Sequence, residues 1–186
     1  MKLAMAYFYP GHEEKIPLSQ QLGVDRAVIN VCSQKTPLPD GGGWDFAPFK
    51  SKVESFLQAG IKPEVVEGPT PLERTKLGLS GRDEEIEVFC KLLEVMDSLN
   101  IRTVCYNWMP VIGWFRSRKN IPARGGATVT GYCHKDVEEE PLTEFGAVTQ
   151  KQLWENLEYF LKAVVPEAKR HGIRLAVHPD DPPVPA

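Results

Sequence analysis

The chain has 186 residues, a hydrophobic fraction of 42% and a formal charge of −3 from 22 basic and 25 acidic side chains. That is enough for one domain with a sizeable core, and the even mixture of charge leaves no basic face to neutralise a phosphate backbone, which argues against nucleic acid as a partner. No apolar run approaches the roughly 20 residues that span a bilayer. The first residues lack the layout of a signal peptide, so the expected setting is the cytoplasm, away from membranes. Cys32, Cys90, Cys105 and Cys133 are widely spaced with no C-x-x-C, as expected of reduced thiols.

In chain order, Lys2 to Phe8 makes a first candidate strand, closed by Pro10-Gly11. A short helix from Pro17 to Leu22 ends at Gly23, and Arg26 to Val31 reads as a second strand. The stretch from Ser33 to Gly43, with its prolines and three successive glycines, is expected to be irregular. From Trp44 to Ala59, Phe46, Phe49, Val53, Phe56 and Leu57 fall at helical spacing, and Gly60 supplies a left-handed cap. One pattern then occurs three times: a helix ends on Gly60, Asn100 or Gly172, a buried isoleucine follows, and a short apolar run closes on Glu67, Asn107 or His178. This is the helix-to-strand connection of a parallel sheet.

The long helices of this pattern run from Arg82 to Leu99 and from Thr149 to His171. Thr149 and Gln152 stand at capping-box spacing, and Pro166 is expected to kink the second helix. Five strands alternating with helices, and no Gly-x-Gly-x-x-Gly after the first strand, point to an α/β protein of (β/α) barrel type. A whole barrel has eight strands, typically in about 250 residues. The expected organisation is therefore residues 1–186 as the N-terminal portion of a single barrel domain, with a rim loop or insertion at about 116–148. Within it, Pro122 to Gly146 reads as a long loop or small hairpin.

On a barrel, Glu67, Asn107 and His178 would stand at the carboxyl ends of their strands, where such folds hold ligands. After Asn107 come Trp108, Trp114 and Arg116, the makings of a clamp for a polyol and its carboxylate, or simply a cover of tryptophans beside a solvated arginine. His178 is either a metal ligand or a hydrogen-bonded strand end, with Asp180 and Asp181 orienting it or opening a turn. Glu67 could act as a base or pair with a lysine. The adjacent pair Cys133-His134 cannot close a tetrahedral site alone, and Glu138-Glu139-Glu140 is expected to be solvated.

Two stretches carry a resemblance. Val104-Cys105-Tyr106-Asn107-Trp108-Met109-Pro110-Val111, followed by Trp114 and Arg116, and Ala176-Val177-His178-Pro179-Asp180-Asp181-Pro182-Pro183 together resemble mannonate dehydratase of the metal-dependent, xylose-isomerase-like TIM-barrel kind. Looser matches at Val65-Val66-Glu67, Lys76-Leu77-Gly78-Leu79 and Trp154-Glu155-Asn156-Leu157 extend it over most of the chain. The resemblance implies a lyase of glucuronate catabolism that removes water from D-mannonate to give 2-dehydro-3-deoxy-D-gluconate. Mn²⁺ is the implied metal, with Fe²⁺ or another divalent ion as the alternative. His178 would be a ligand, Asn107 and Arg116 would position the acid, Trp114 would wall the site, and a whole barrel would form a homo-oligomer. A cation on the acid's oxygens stabilises the charge that develops when the weakly acidic C2 proton leaves.

Where the family has a histidine followed by two acids after the third strand, this chain has Leu72-Glu73-Arg74. The remaining ligands of the family, a cysteine, a second histidine and an aspartate, and its catalytic base would belong to the other half of the barrel. The expectation is thus a fragment, truncated product or half of a split barrel that is inactive alone. The alternatives are another metal-dependent isomerase or epimerase of this superfold, or a non-catalytic barrel piece.

Overall fold

A computed structural model describes residues 2–8, 12–31 and 44–183. The glycine-rich stretch at 33–43 and Cys32 lie outside the described residues. In chain order the elements are β1 (Met5–Tyr7), α1 (Ile16–Gln21), β2 (Arg26–Ile29), α2 (Ala47–Gln58), β3 (Lys62–Glu67), α3 (Glu73–Leu77), α4 (Arg82–Ser98), β4 (Thr103–Asn107), β5 (Arg118–Pro122), β6 (Thr128–Gly131), α5 (Gln150–Arg170) and β7 (Arg174–His178). Five strands form one parallel sheet in the order β1-β2-β3-β4-β7. Each new strand is laid beside the one before it, with a helix in every connection, which is the winding of a (β/α) barrel.

The threefold helix-to-strand pattern is built by one device. Gly60, Asn100 and Gly172 have φ of 76°, 57° and 62°. The isoleucine after each returns its N–H to the helix, Ile61 to Phe56 at 2.9 Å, Ile101 to Met96 at 2.9 Å and Ile173 to Ala168 at 2.8 Å. These are Schellman caps, and each isoleucine is buried as the chain turns into a strand. At its other end α5 carries both bonds of the Thr149–Gln152 capping box. The helix runs through Pro166 as a single element.

In-register partners of a parallel sheet share a face, and alternate residues of a strand face opposite ways. The row Tyr7, Ile29, Val66 and Val104 is buried, together with Tyr106, against Phe49, Val53 and Phe56 of α2, Phe89, Leu93 and Met96 of α4, and Phe160 and Val164 of α5. Phe160 is fully buried and meets the rings of Phe89, Tyr106 and Trp108 with centroids 5.1 to 5.4 Å away. Glu67, Cys105, Asn107, Ala176 and His178 therefore occupy the opposite face, where each is only half-buried.

Between β4 and α5 the chain leaves the sheet. Strands β5 and β6 pair antiparallel, Ile121 against Val129, as an exposed hairpin. It begins at Arg118, ahead of the predicted Pro122, and ends at Gly131; Glu138, Glu139 and Glu140 beyond it are exposed.

Candidate active site at the carboxyl rim

Three strand ends bring polar side chains to the same face. Glu67 closes β3, Asn107 closes β4 and His178 closes β7, with Asn107 and His178 paired in register. One step below Asn107 and His178, Cys105 is in register with both Glu67 and Ala176. Burial, and secondarily the charge of Glu67, pushes the Cys105 thiol up, so it is protonated at neutral pH and is no nucleophile. Glu67 forms no ion pair among the described residues.

Asn107 is held from the side by α3, an element with no periodic signal in the sequence. Its Lys76 is 6% exposed, and the ammonium donates to Glu73 Oε1 at 2.8 Å, Asn107 Oδ1 at 3.0 Å and the Met109 carbonyl at 3.0 Å. An ammonium has three N–H donors, so this buried lysine is fully satisfied. Glu73 uses its second oxygen to accept the Val111 N–H at 2.7 Å. The helix is fixed in turn by Glu85, whose carboxylate accepts the N–H groups of Arg74 and Thr75, and by Asn156 of α5, which donates to the Lys76 carbonyl at 2.8 Å. Gly78 ends α3 at φ 69°, and a Cβ there would stand 2.8 Å from Asn156 Oδ1. Helix, loop and β4 are thereby locked together.

The two tryptophans part company. Trp108 is 8% exposed, turns into the core and donates its indole N–H to the Leu153 carbonyl at 3.1 Å. Trp114 is 58% exposed, with the Arg116 guanidinium carbon 4.5 Å from its ring centroid. Arg116 makes the two parallel hydrogen bonds expected of a carboxylate clamp, but with Asp181, at 2.7 Å each. The same guanidinium also donates to the Phe115 carbonyl. The fork of Arg116 is thus closed on a carboxylate of the chain itself. Asp181 faces Arg116, while His178 Nδ1 meets the Pro179 carbonyl. The guanidinium holds the Asp181 carboxyl below the usual carboxylate range. Two further bonds, Phe115 N–H to the Asp181 carbonyl and Asp181 N–H to Met109 Sδ, tie the loop after β4 to the loop after β7. Asp180 is exposed and makes no hydrogen bond among the described residues.

Known proteins resemble the chain along its whole length. The family described as D-mannonate dehydratase (UxuA) matches residues 1–145 and 139–186. The chain belongs to the D-mannonate dehydratase family. Mannonate dehydratase of Oceanobacillus iheyensis is 33% identical over 204 residues, which cover 97% of this chain and 58% of that one. That of Thermotoga maritima is 28% identical, over 98% of this chain and 59% of the relative. The crystal structure of mannonate dehydratase from Streptococcus suis serotype 2 superposes with a TM-score of 0.81 at 27% identity, over all of this chain and 55% of that one. A D-psicose 3-epimerase from Clostridium cellulolyticum H10 shares the fold, with a TM-score of 0.56 at 15% identity. The chain thus spans about 58% of the length of the curated mannonate dehydratases it matches.

A divalent metal is the cofactor to test against these residues. When Nδ1 of His178 donates to the Pro179 carbonyl, Nε2 is left as the lone-pair nitrogen, the form in which an imidazole binds metal. One imidazole is not a site, and the described residues contain no group of three His, Cys, Asp or Glu side chains able to hold an ion. Cys133 and His134 sit on the hairpin side, where His134 Nδ1 is hydrogen-bonded to the Tyr132 hydroxyl. Sequence reasoning missed the role of α3, in which a buried lysine looks like any surface lysine. The signal that could have found it is the short Lys76-Leu77-Gly78 stretch, where a glycine stop follows a single helical turn.

Proposed function

We propose that this chain is the sugar-acid-binding part of a mannonate dehydratase, acting in the removal of water from D-mannonate to give 2-dehydro-3-deoxy-D-gluconate in glucuronate catabolism in the cytoplasm. In this reading Asn107 donates to an oxygen of the acid, Trp114 walls the site, and Glu67 stands at the rim as a further polar contact. Arg116 shapes the mouth through Asp181, and Asp180 lies at its outer edge. His178 is the ligand this chain contributes to a divalent metal, Mn²⁺ before Fe²⁺. Residues 1–186 form part of one barrel domain, the segment 116–148 is its rim insertion, and the whole barrel is a homo-oligomer. The observation that carries the reading is the register pairing of Asn107 with His178 on the sheet face turned away from the helices, next to family membership.

Titration calorimetry of the purified chain with D-mannonate, and with the neutral ketohexose D-psicose, tests the substrate class. Binding of the acid with no heat from the ketohexose supports the reading. Equal or tighter binding of the ketohexose would move the site to an isomerase or epimerase, and no binding of the acid would sink it. With Mn²⁺ and D-mannonate the chain alone should form no 2-keto-3-deoxy acid, because the described residues contain no group of three side chains able to hold the ion. Appreciable turnover would overturn that expectation.

A further inference from the structure

We propose that Lys76 is a positioning residue for the substrate. By taking the Oδ1 of Asn107 it fixes that amide so that Nδ2 is the donor offered to an oxygen of the bound sugar acid. The inference rests on the reading of the rim as a sugar-acid site.

Two donors converge on one atom. Lys76 Nζ reaches Asn107 Oδ1 at 3.0 Å, and the Met109 N–H reaches the same oxygen at 3.3 Å. Rotating the amide by half a turn would set its NH₂ against an ammonium and a backbone N–H, which leaves one orientation. In that orientation Nδ2 has no hydrogen bond among the described residues, although Asn107 sits beside His178 at the mouth of the sheet. A half-buried amide donor without a protein partner is suited to an acceptor from outside, and the oxygens of an aldonate are acceptors.

Lys76 can impose this because it is itself held. Its carbonyl is fixed by Asn156, and its ammonium is anchored by Glu73 and the Met109 carbonyl. Glu73 grips the same loop again at Val111, a β-branched residue at φ 62°, a conformation such residues rarely adopt unless surrounding contacts enforce it. One short helix thus holds the loop after β4 at Asn107, Met109 and Val111. The positive charge of Lys76 also makes the amide a better donor, since withdrawing electron density from Oδ1 polarises the NH₂.

The test uses the whole chain and two variants. In Lys76→Met, NMR of the Asn107 side-chain amide should show loss of its single orientation, and D-mannonate affinity should fall about tenfold or more. An Asn107 amide unchanged in Lys76→Met would overturn the inference. Asn107→Asp serves if Lys76→Met does not fold. It keeps an acceptor for Lys76 and so keeps stability, but replaces the donor with a carboxylate. Parental D-mannonate affinity in Asn107→Asp would overturn the proposal, because the Nδ2 donor that Lys76 is said to present would then not be used. Loss of affinity with an unchanged thermal midpoint supports it. If the parent chain itself does not bind D-mannonate, the functional reading fails, and the amide orientation in Lys76→Met still decides whether Lys76 positions Asn107.

Discussion

The Arg116–Asp181 pair shows how a single contact sets the shape of the rim. The guanidinium holds the Asp181 carboxyl below its ordinary value, so the pair's contribution is fully present above the unfolded aspartate pKa of about 3.9. It is lost only as pH falls through the lower folded value. Because both partners are partly exposed, solvent screens the pair and its effect on global stability is small. Its effect on Trp114, which the same guanidinium covers, is direct. Fluorescence between about pH 5 and pH 2, taken as the difference from a Trp114→Phe chain, should report release of the indole at the acid end. Asp181→Asn should show the released signal at neutral pH, with little change in thermal midpoint. An indole signal indifferent to both changes would mean that other contacts hold Trp114. Arg116 and Asp181 were each legible as functional candidates in the sequence. Their pairing was not, because they are 65 positions apart and only the register of β4 with β7 brings their loops together.

At the scale of elements, what could be read from the sequence was whatever is specified locally. The capping box of α5 is an example, since Thr149 Oγ1 accepts the Gln152 N–H at 3.2 Å and Gln152 Oε1 accepts the Thr149 N–H at 2.9 Å. Thr149→Ala removes the first bond and leaves the second without its reciprocal partner. It should cost about 1 kcal/mol, measurable as a lower urea midpoint at unchanged slope. A loss below a few tenths would mean that the packing of Phe160 and Val164, not the cap, sets where α5 begins. The three Schellman caps were legible for the same reason, each needing only a residue that tolerates positive φ and a following apolar side chain. One element was not, and a second, read only as a long loop or small hairpin from Pro122 onward, was legible in part. Helix α3 is five residues long, too short for a period, and its burial of Lys76 depends on Asn107, which lies 31 residues away. The β5–β6 hairpin is exposed along nearly its whole length, so no alternation of apolar and polar residues marks its strands.

For the molecule as a whole, α5 is apolar on two sides, and periodicity alone does not separate them. Phe160, Val164 and Ala168 are buried against the sheet and α4, whereas Leu157 and Leu161 are half-buried. With Trp154 and Val165 they line an outer groove of about 850 Å³, where Trp154 is 64% exposed. Val177 of β7, the edge strand of the sheet among the described residues, is exposed as well. Apolar surface gathered at one edge differs from the scattered exposure of most soluble proteins. The isolated chain should therefore bind a hydrophobic dye such as anilinonaphthalene sulfonate without being unfolded. Trp154→Ser combined with Val165→Ser should remove most of that signal. Both side chains are exposed, so their loss should change stability by only about 0.5 kcal/mol each. Dye binding unchanged in the double variant would place the sticky surface instead on the half-buried inner face of the sheet, around Cys105 and Ala176. A large fall in stability would mean that the groove is packed more tightly in solution than its 64% exposed indole indicates.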